Sequence, residues 1–246
     1  AATDGLYIIN RYDSLTNPLV RVGKYALSAP LPTPSDLTAT AVAVSQSGGN
    51  DNFAYVATNY GLGRIDVSDP ANPTIDQAYN LNDKITDVSK DASYIYYTIK
   101  TQVRRINIAT GVSSLLYVAT DANAVFAGSV YHGDEDRLYK DNVLVGSTGS
   151  SFKIIKRIFV SGGYAYIATS TGNFLRIRIA DGIRDEYTSI PTAIDSFISG
   201  GYAYVACGSN GLVVTKTTAD AVVARYKVFI INAVAGKNGK ITPRGY

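Results

Sequence analysis

The chain has one histidine, His132, and one cysteine, Cys207, and these two residues bound the nucleophilic chemistry open to it. A Ser-His-Asp hydrolase would have to use His132, because an imidazole must take the serine proton. No Gly-Xaa-Ser-Xaa-Gly turn accompanies it. A Cys–His nucleophile pair would need His132 and Cys207 to meet from distant parts of the chain. His132 is therefore read as a strand-end residue and Cys207 as a small buried side chain. A lone cysteine also excludes an intrachain disulfide and a cysteine-rich metal site. The acidic turn "HGDEDR" carries Asp134, Glu135 and Asp136, hard oxygen ligands of the kind calcium takes. Three adjacent carboxylates cannot wrap an ion without ligands from elsewhere, and their spacing is not that of an EF-hand loop. A solvated turn is the favoured reading, and calcium is the one cofactor the turn admits.

Composition narrows the class. Hydrophobic residues make up 46% and charged residues 17% of 246, which describes a globular chain with ample core. The net charge of +3 is small and Lys and Arg are dispersed, so no nucleic-acid partner is expected; Arg104-Arg105 and Lys156-Arg157 read as solvated strand faces. No apolar run approaches the ~18 residues of a membrane-spanning helix. Two glutamates (Glu135, Glu186), no methionine, no tryptophan and 19 tyrosines favour strands over helices. The one sequon-like triplet, Asn72-Pro73-Thr74, contains the excluded proline. The opening residues "AATDG" suit the new end left by cleavage at a small-residue site, so an exported chain is expected.

Those chemical groups must be positioned by a repeat. The stretches "GGYAYIATSTGNFLRI" from Gly162 and "GGYAYVACGSNGLVV" from Gly201 are near copies. Anchor tyrosines recur at Tyr55, Tyr96, Tyr131, Tyr166 and Tyr204, spaced 41, 35, 35 and 38 residues apart. About seven residues after each anchor an apolar position opens a second, alternating run: Leu62, Val103, Leu138, Phe174 and Leu212. A period near 40 with four short strands per period predicts a β-propeller. In the repeat around Tyr55 the strands would be "TATAVAVS", "NFAYVAT", "GLGRIDVS" and "TIDQAYNL". Tyr246 joined to Ala1 would continue the pattern, so the expectation is an all-β, six-bladed propeller closed by pairing of N- and C-terminal strands in one blade. Residues 1–246 would form a single domain, with a proline-rich insertion at 28–36. Five or seven blades are the alternatives, because the repeat around Tyr131 is degenerate.

The stretch "YVATNYGLGRIDVSDPANPT" (Tyr55 to Thr74) resembles the LVIVD-repeat β-propellers. "DGLYIINRYDSLTNPLVRVGKY" (Asp4 to Tyr25) is a looser copy, and "VACGSNGLVV" keeps the first half of the motif. The resemblance implies a propeller and an exported or cell-surface setting. The residues make sense as turn chemistry: Asp66 and Ser68 can bond nearby backbone N–H groups, while Pro70 and Pro73 fix φ.

In a four-stranded blade, the loops after strands two and four share one face of the disc, where propellers usually bind ligands. The insertion "SAPLPTPSD" carries Pro30, Pro32 and Pro34 in a stiff, extended segment on that face, either a docking arm or a long connection. The innermost strands would contain Val42, Asp87, Val125, Phe159, Phe197 and Val234. Their polar members Asp87, Asn123, Arg157, Asp195 and Asn232 are the candidate contacts at the channel mouth, with channel solvation as the competing role.

Enzymes built on propellers leave recognisable residues. Sialidase-like Asp-boxes and quinoprotein docking motifs need tryptophan, which is absent. Lactonase-type sites hold calcium with Glu, Asn and Asp, but both glutamates fall outside the expected innermost strands. The expectation is therefore a non-catalytic propeller outside a cell or on a particle such as a virion, serving adhesion, recognition or assembly. Its partner would be a surface protein or glycan, or neighbouring subunits. The alternative is a calcium-dependent, lactonase-like hydrolase.

Overall fold

The computed structural model describes residues 38–44, 52–126, 129–190 and 192–226, together with the backbone of two N-terminal strands. These two, β1 (Gly5–Ile9) and β2 (Arg21–Ala26), pair antiparallel as a two-stranded sheet. Five four-stranded antiparallel blades follow. The first holds β3 (Ala39–Ala43), β4 (Phe53–Thr58), β5 (Gly61–Asp66) and β6 (Thr74–Asn80). The second holds β7 (Asp87–Lys90), β8 (Tyr94–Ile99), β9 (Gln102–Asn107) and β10 (Ser113–Val118). The third holds β11 (Ala122–Phe126), β12 (Tyr131–Asp134), β13 (Arg137–Lys140) and β14 (Val143–Ser147). The fourth holds β15 (Ile155–Ser161), β16 (Tyr164–Thr169), β17 (Phe174–Arg178) and β18 (Arg184–Glu186). The fifth holds β19 (Asp195–Ser199), β20 (Tyr202–Ala206), β21 (Leu212–Lys216) and β22 (Val222–Tyr226).

The propeller expectation holds, and the six-bladed one does not. Five blades of four strands are present, and among the described residues β1 and β2 pair only with each other. The sixth repeat rested on Tyr246 and on the match between the chain ends. An aromatic at the right spacing does not make a blade, which needs four paired strands, and outside the five blades the described residues supply two. Tyr246, Val234 and Asn232 lie outside the described residues, as does the whole 28–36 insertion with Pro30, Pro32 and Pro34.

The five anchors do fall on the second strand of their blades, and they explain the repeat. Tyr55, Tyr96, Tyr131 and Tyr166 are each buried in the cluster between their own blade and the next. Blade-to-blade burial is thus what the 35-to-41-residue period encodes. Tyr204 has no following blade among the described residues, and the residue is 37% exposed. The Gly-Gly pairs are equally explicit. Gly162-Gly163 and Gly200-Gly201 form the two-residue turns after β15 and β19, all with positive φ (58°, 81°, 57° and 79°). Such turns match the twist of a hairpin, and glycine adopts them without a Cβ penalty.

The LVIVD turn between β5 and β6 works much as expected, with one change of residue. Asp66 Oδ1 accepts from Ser68 N at 2.8 Å. Asp69, rather than the Ser68 hydroxyl, provides the second anchor: its Oδ1 accepts from Ala71 N at 3.0 Å and its Oδ2 from Asn72 Nδ2 at 2.8 Å.

Candidate functional site

The five innermost strands β3, β7, β11, β15 and β19 stand side by side around the channel, as the sequence indicated. Asp87 and Asp195 begin β7 and β19, Asn123 is the second residue of β11 and Arg157 the third of β15. Four candidates from four blades are thereby brought to one end of the channel.

Arg157 organises this end. Its Nη2 donates to the Thr40 carbonyl at 2.8 Å, and its Nη1 to the carbonyls of Lys156 (2.7 Å) and Thr86 (3.3 Å). Nη1 also lies 3.8 Å from Asp87 Oδ1, and Nε lies 4.0 Å from Asp195 Oδ2. One guanidinium from the fourth blade thus touches the first, second and fifth. The planar fork suits this role, since a lysine could not address several acceptors in fixed directions. Threonine hydroxyls add shorter stitches: Thr40 Oγ1 donates to Ile85 O at 2.7 Å and Thr86 Oγ1 to Ala122 O at 3.1 Å.

The two carboxylates differ. Asp87 is buried; Oδ1 accepts from Val88 N at 3.0 Å and Oδ2 from Val125 N at 3.1 Å. Burial pushes its carboxyl up to about 6, against the opposing pull of Arg157. Asp195 is open to the channel, with 58% of its side chain exposed, and Oδ1 accepts from Ser196 N at 2.7 Å. The crowding strands push its carboxyl up as well, with Arg157 opposing. Water reaches this group, so its shift carries little folding energy.

Asn123 is not free to contact a ligand. Its Oδ1 accepts from Lys156 Nζ at 2.9 Å, and its Nδ2 donates to Asp121 O at 2.7 Å. Nor do the acidic-turn residues converge. Asp134 Oδ1 accepts from Thr120 N (3.0 Å) and Asp121 N (2.6 Å), while Asp136 Oδ2 accepts from Ser147 Oγ (2.6 Å). Glu135 occupies the turn at φ 54°, and its carbonyl accepts from Ile155 N at 2.8 Å. Among the described residues no three His, Cys, Asp or Glu side chains gather in a group that could hold a metal ion.

The sequence did not disclose the apolar side of the channel. Phe126, Phe159 and Phe197, from three successive innermost strands, form a ladder with centroids 5.3 and 5.2 Å apart. A cavity of about 540 Å³ opens beside them, lined by Val42, Asp87, Arg157, Phe159, Ile194, Asp195, Phe197 and Tyr204 among others. Ile194 and Phe197 are more than half exposed. The recurring aromatic in the innermost strands was the available signal.

His132 and Cys207 are both buried and lie in different blades, His132 on β12 and Cys207 just after β20. The imidazole stacks between Tyr117 and Tyr139, with centroids 5.2 and 5.1 Å away. Its Nδ1 has no hydrogen-bond partner, and burial pulls it down to about 4. Burial pushes the Cys207 thiol up, and Sγ donates to Val205 O at 3.5 Å.

Comparison with known proteins agrees with this architecture. The LVIVD repeat family model matches residues 38–81, 155–177 and 192–215. It includes Tyr55 to Thr74 and the "VACGSNGLVV" stretch, adds the fourth blade, and does not include Asp4 to Tyr25. No curated protein matches the chain. Among solved structures, a chain of a nidogen/laminin complex superposes with a TM-score of 0.70 at 10% identity, covering 92% of both chains. A chain of a mitotic checkpoint complex gives 0.64 at 8% identity, over 92% of this chain and 75% of that one. The computationally designed Ika8 protein gives 0.54 at 12% identity, over 84% and 64%. At such identities the likeness shows the fold alone. Among the described residues no helix is long and apolar enough to cross a membrane. The chain is a β-propeller that carries LVIVD repeats in its first, fourth and fifth four-stranded blades.

Proposed function

We propose that this propeller is a non-catalytic recognition element, displayed outside a cell or on a particle, that works by surface contact with a protein or glycan partner. The carrying observation is the contrast at the channel mouth. Its charged groups are largely committed to holding blades together, while Ile194 and Phe197 stand exposed beside them. Exposed apolar side chains rimmed by polar ones are what contact surfaces present. Two structural neighbours come from protein complexes, which is in keeping with this use of the fold. The outside setting is supported by composition alone: many tyrosines, two glutamates, no methionine and no tryptophan.

The experiment is to isolate the protein from its native source and measure its mass by light scattering, with mass spectrometry of whatever co-elutes. A stoichiometric protein or glycan partner is the expected result. A lone monomer carrying calcium and hydrolysing lactones would overturn the reading in favour of the lactonase-like one.

A further inference from the structure

We propose that the cavity between the fourth and fifth blades, on the face of the disc opposite the channel mouth, is a site for a neutral pyranose ring, with the Tyr166 hydroxyl as its central hydrogen-bonding group. The inference goes beyond the recognition reading, which concerns the other face. Its walls belong to the fourth and fifth blades throughout. Ser161 and Ser199 end β15 and β19, and Asp195 begins the second of these strands, so the cavity and the mouth lie at opposite ends of them. Tyr164, Tyr166 and Arg176 come from the fourth blade, Ile198 and Thr218 from the fifth. The enclosed volume of about 490 Å³ falls within the range of small-ligand sites. A Cβ at Gly162, Gly200 or Gly201 would meet nothing within 4 Å, so bare turn backbone borders open space.

An unpaired hydroxyl carries the inference. Tyr166 is 3% exposed and lines the cavity, yet its hydroxyl makes no hydrogen bond among the described residues. A buried hydroxyl ordinarily has a partner. The corresponding tyrosine of the second blade has one, for Tyr96 donates to Asp91 Oδ2 at 2.8 Å. Asp91 stands three residues before Tyr94, and Ser161 stands three residues before Tyr164. The fourth blade thus has a serine where the second has the carboxylate, and no bond joins that serine to Tyr166. A ligand hydroxyl entering the cavity would take the place of the missing acceptor.

Charge makes the ligand neutral. Arg176 is the charged residue of the lining, and Asp185 balances it, with Arg176 Nε and Nη2 each 2.9 Å from Asp185 Oδ2. Its Nη1 donates to the Thr217 carbonyl, so all three nitrogens already have acceptors. The rest of the polar lining is hydroxyl and backbone: Tyr166, Ser161, Ser199 and Thr218 each carry a group that both donates and accepts. A polyol can pair with such groups in either sense, whereas an ion would find no opposite charge left over. Ile198 supplies apolar surface for the C–H face of a sugar ring. Two sources carry this chemistry: the end residue of a glycan, or a free sugar.

The test uses the intact chain and follows the Ile198 methyl signals by NMR. The probes are glucose, galactose and mannose, their methyl glycosides, and two controls, cyclohexylmethanol and glucuronate. At least one pyranose should shift the signals saturably, with both controls roughly tenfold weaker or more. Tyr166→Phe, which keeps the ring but removes the hydroxyl, should weaken that pyranose by about tenfold. Ser161→Asp, which rebuilds the arrangement of the second blade and gives Tyr166 its acceptor, should weaken it at least as much. Thermal melts establish that both variants are folded. No saturable shift from any pyranose, equal affinity for cyclohexylmethanol, or a Ser161→Asp variant that binds as the parent does overturns the proposal. Binding of a methyl glycoside, whose anomeric oxygen is blocked as in a glycan, supports a glycan end as the source; binding of the free sugar alone overturns that source. The recognition reading fails separately, if the native protein is alone in solution while a pyranose still binds.

Discussion

Lowering the pH from 7.5 to 4 sets two buried groups against each other. His132 is enclosed by Tyr117 and Tyr139, and its imidazole titrates at about 4 instead of 6.5 because burial disfavours the cation. Its folded-state value lies below its unfolded value, so protons favour the unfolded chain. The stability carried by the neutral ring is complete above pH 6.5 and is lost as the pH falls towards 4. The displacement is worth about 3 kcal/mol. Asp87 behaves oppositely: burial moves its carboxyl from 3.8 to about 6, so the folded chain holds that proton more tightly. Its contribution is complete below pH 3.8 and is lost as the pH rises through 6, again about 3 kcal/mol. Asp195 is also shifted up but is open to water and adds little, while Asp66, Asp69 and Asp181, shifted down, act below pH 4. Between pH 4 and 6 the two large slopes nearly cancel, and the parent protein should look almost indifferent to pH. Single variants remove the cancellation. His132→Phe should lose stability as the pH rises from 4 to 6.5, and Asp87→Asn should gain it, each by about 3 kcal/mol. The assay is urea denaturation at half-unit steps of pH, with the slope m checked for constancy. Two variants that share the parent's profile, or that drift in the same direction, would refute the reasoning.

Arg157→Met should cost about 3 kcal/mol, because it leaves Asp87 buried beside no cation. The loss should be smaller at pH 5 than at pH 7.5, since removing the guanidinium raises the Asp87 carboxyl further; urea melts at both values check this. Gly201→Ala should cost about 1 kcal/mol from its φ of 79° alone, as nothing lies within 4 Å of the added Cβ. Gly133→Ala should cost about 2 kcal/mol, because that Cβ would stand 2.6 Å from Ile155 Cγ2 between two blades; thermal melts of the pair compare a backbone cost with a packing cost. Cys207 should resist aromatic disulfide reagents in the folded protein and react fully in urea, being buried with a thiol pushed up.

Much of the fold was legible because its determinants are local or periodic. Tyr55, Tyr96, Tyr131 and Tyr166 each pack towards the next blade, so the same residue type recurs at the blade period. Gly162-Gly163 and Gly200-Gly201 name their turns because few other residues tolerate that backbone. The blade count was misread where periodic spacing was extended to Tyr246 without four strands to support it. The site was half legible. Asp87, Arg157 and Asp195 were found as polar members of innermost strands, but their unequal roles depend on distances across the ring. Arg157 reaches Thr40, 117 residues away, through a geometry that no local pattern specifies. Asn123 looked equivalent to the others and is instead held by Lys156. His132 became notable only when β10 of the neighbouring blade brought Tyr117 onto its ring.

The most direct measurement is hydroxyl-radical footprinting of the native-source protein with its partner bound and after the partner is removed. Recognition through the channel mouth requires protection of Ile194, Phe197 and Tyr204 in the complex, with exposed side chains such as Phe152 and Val112 oxidised equally in both states. Equal oxidation of the mouth residues with and without the partner, or protection confined to the outer strands, would contradict it.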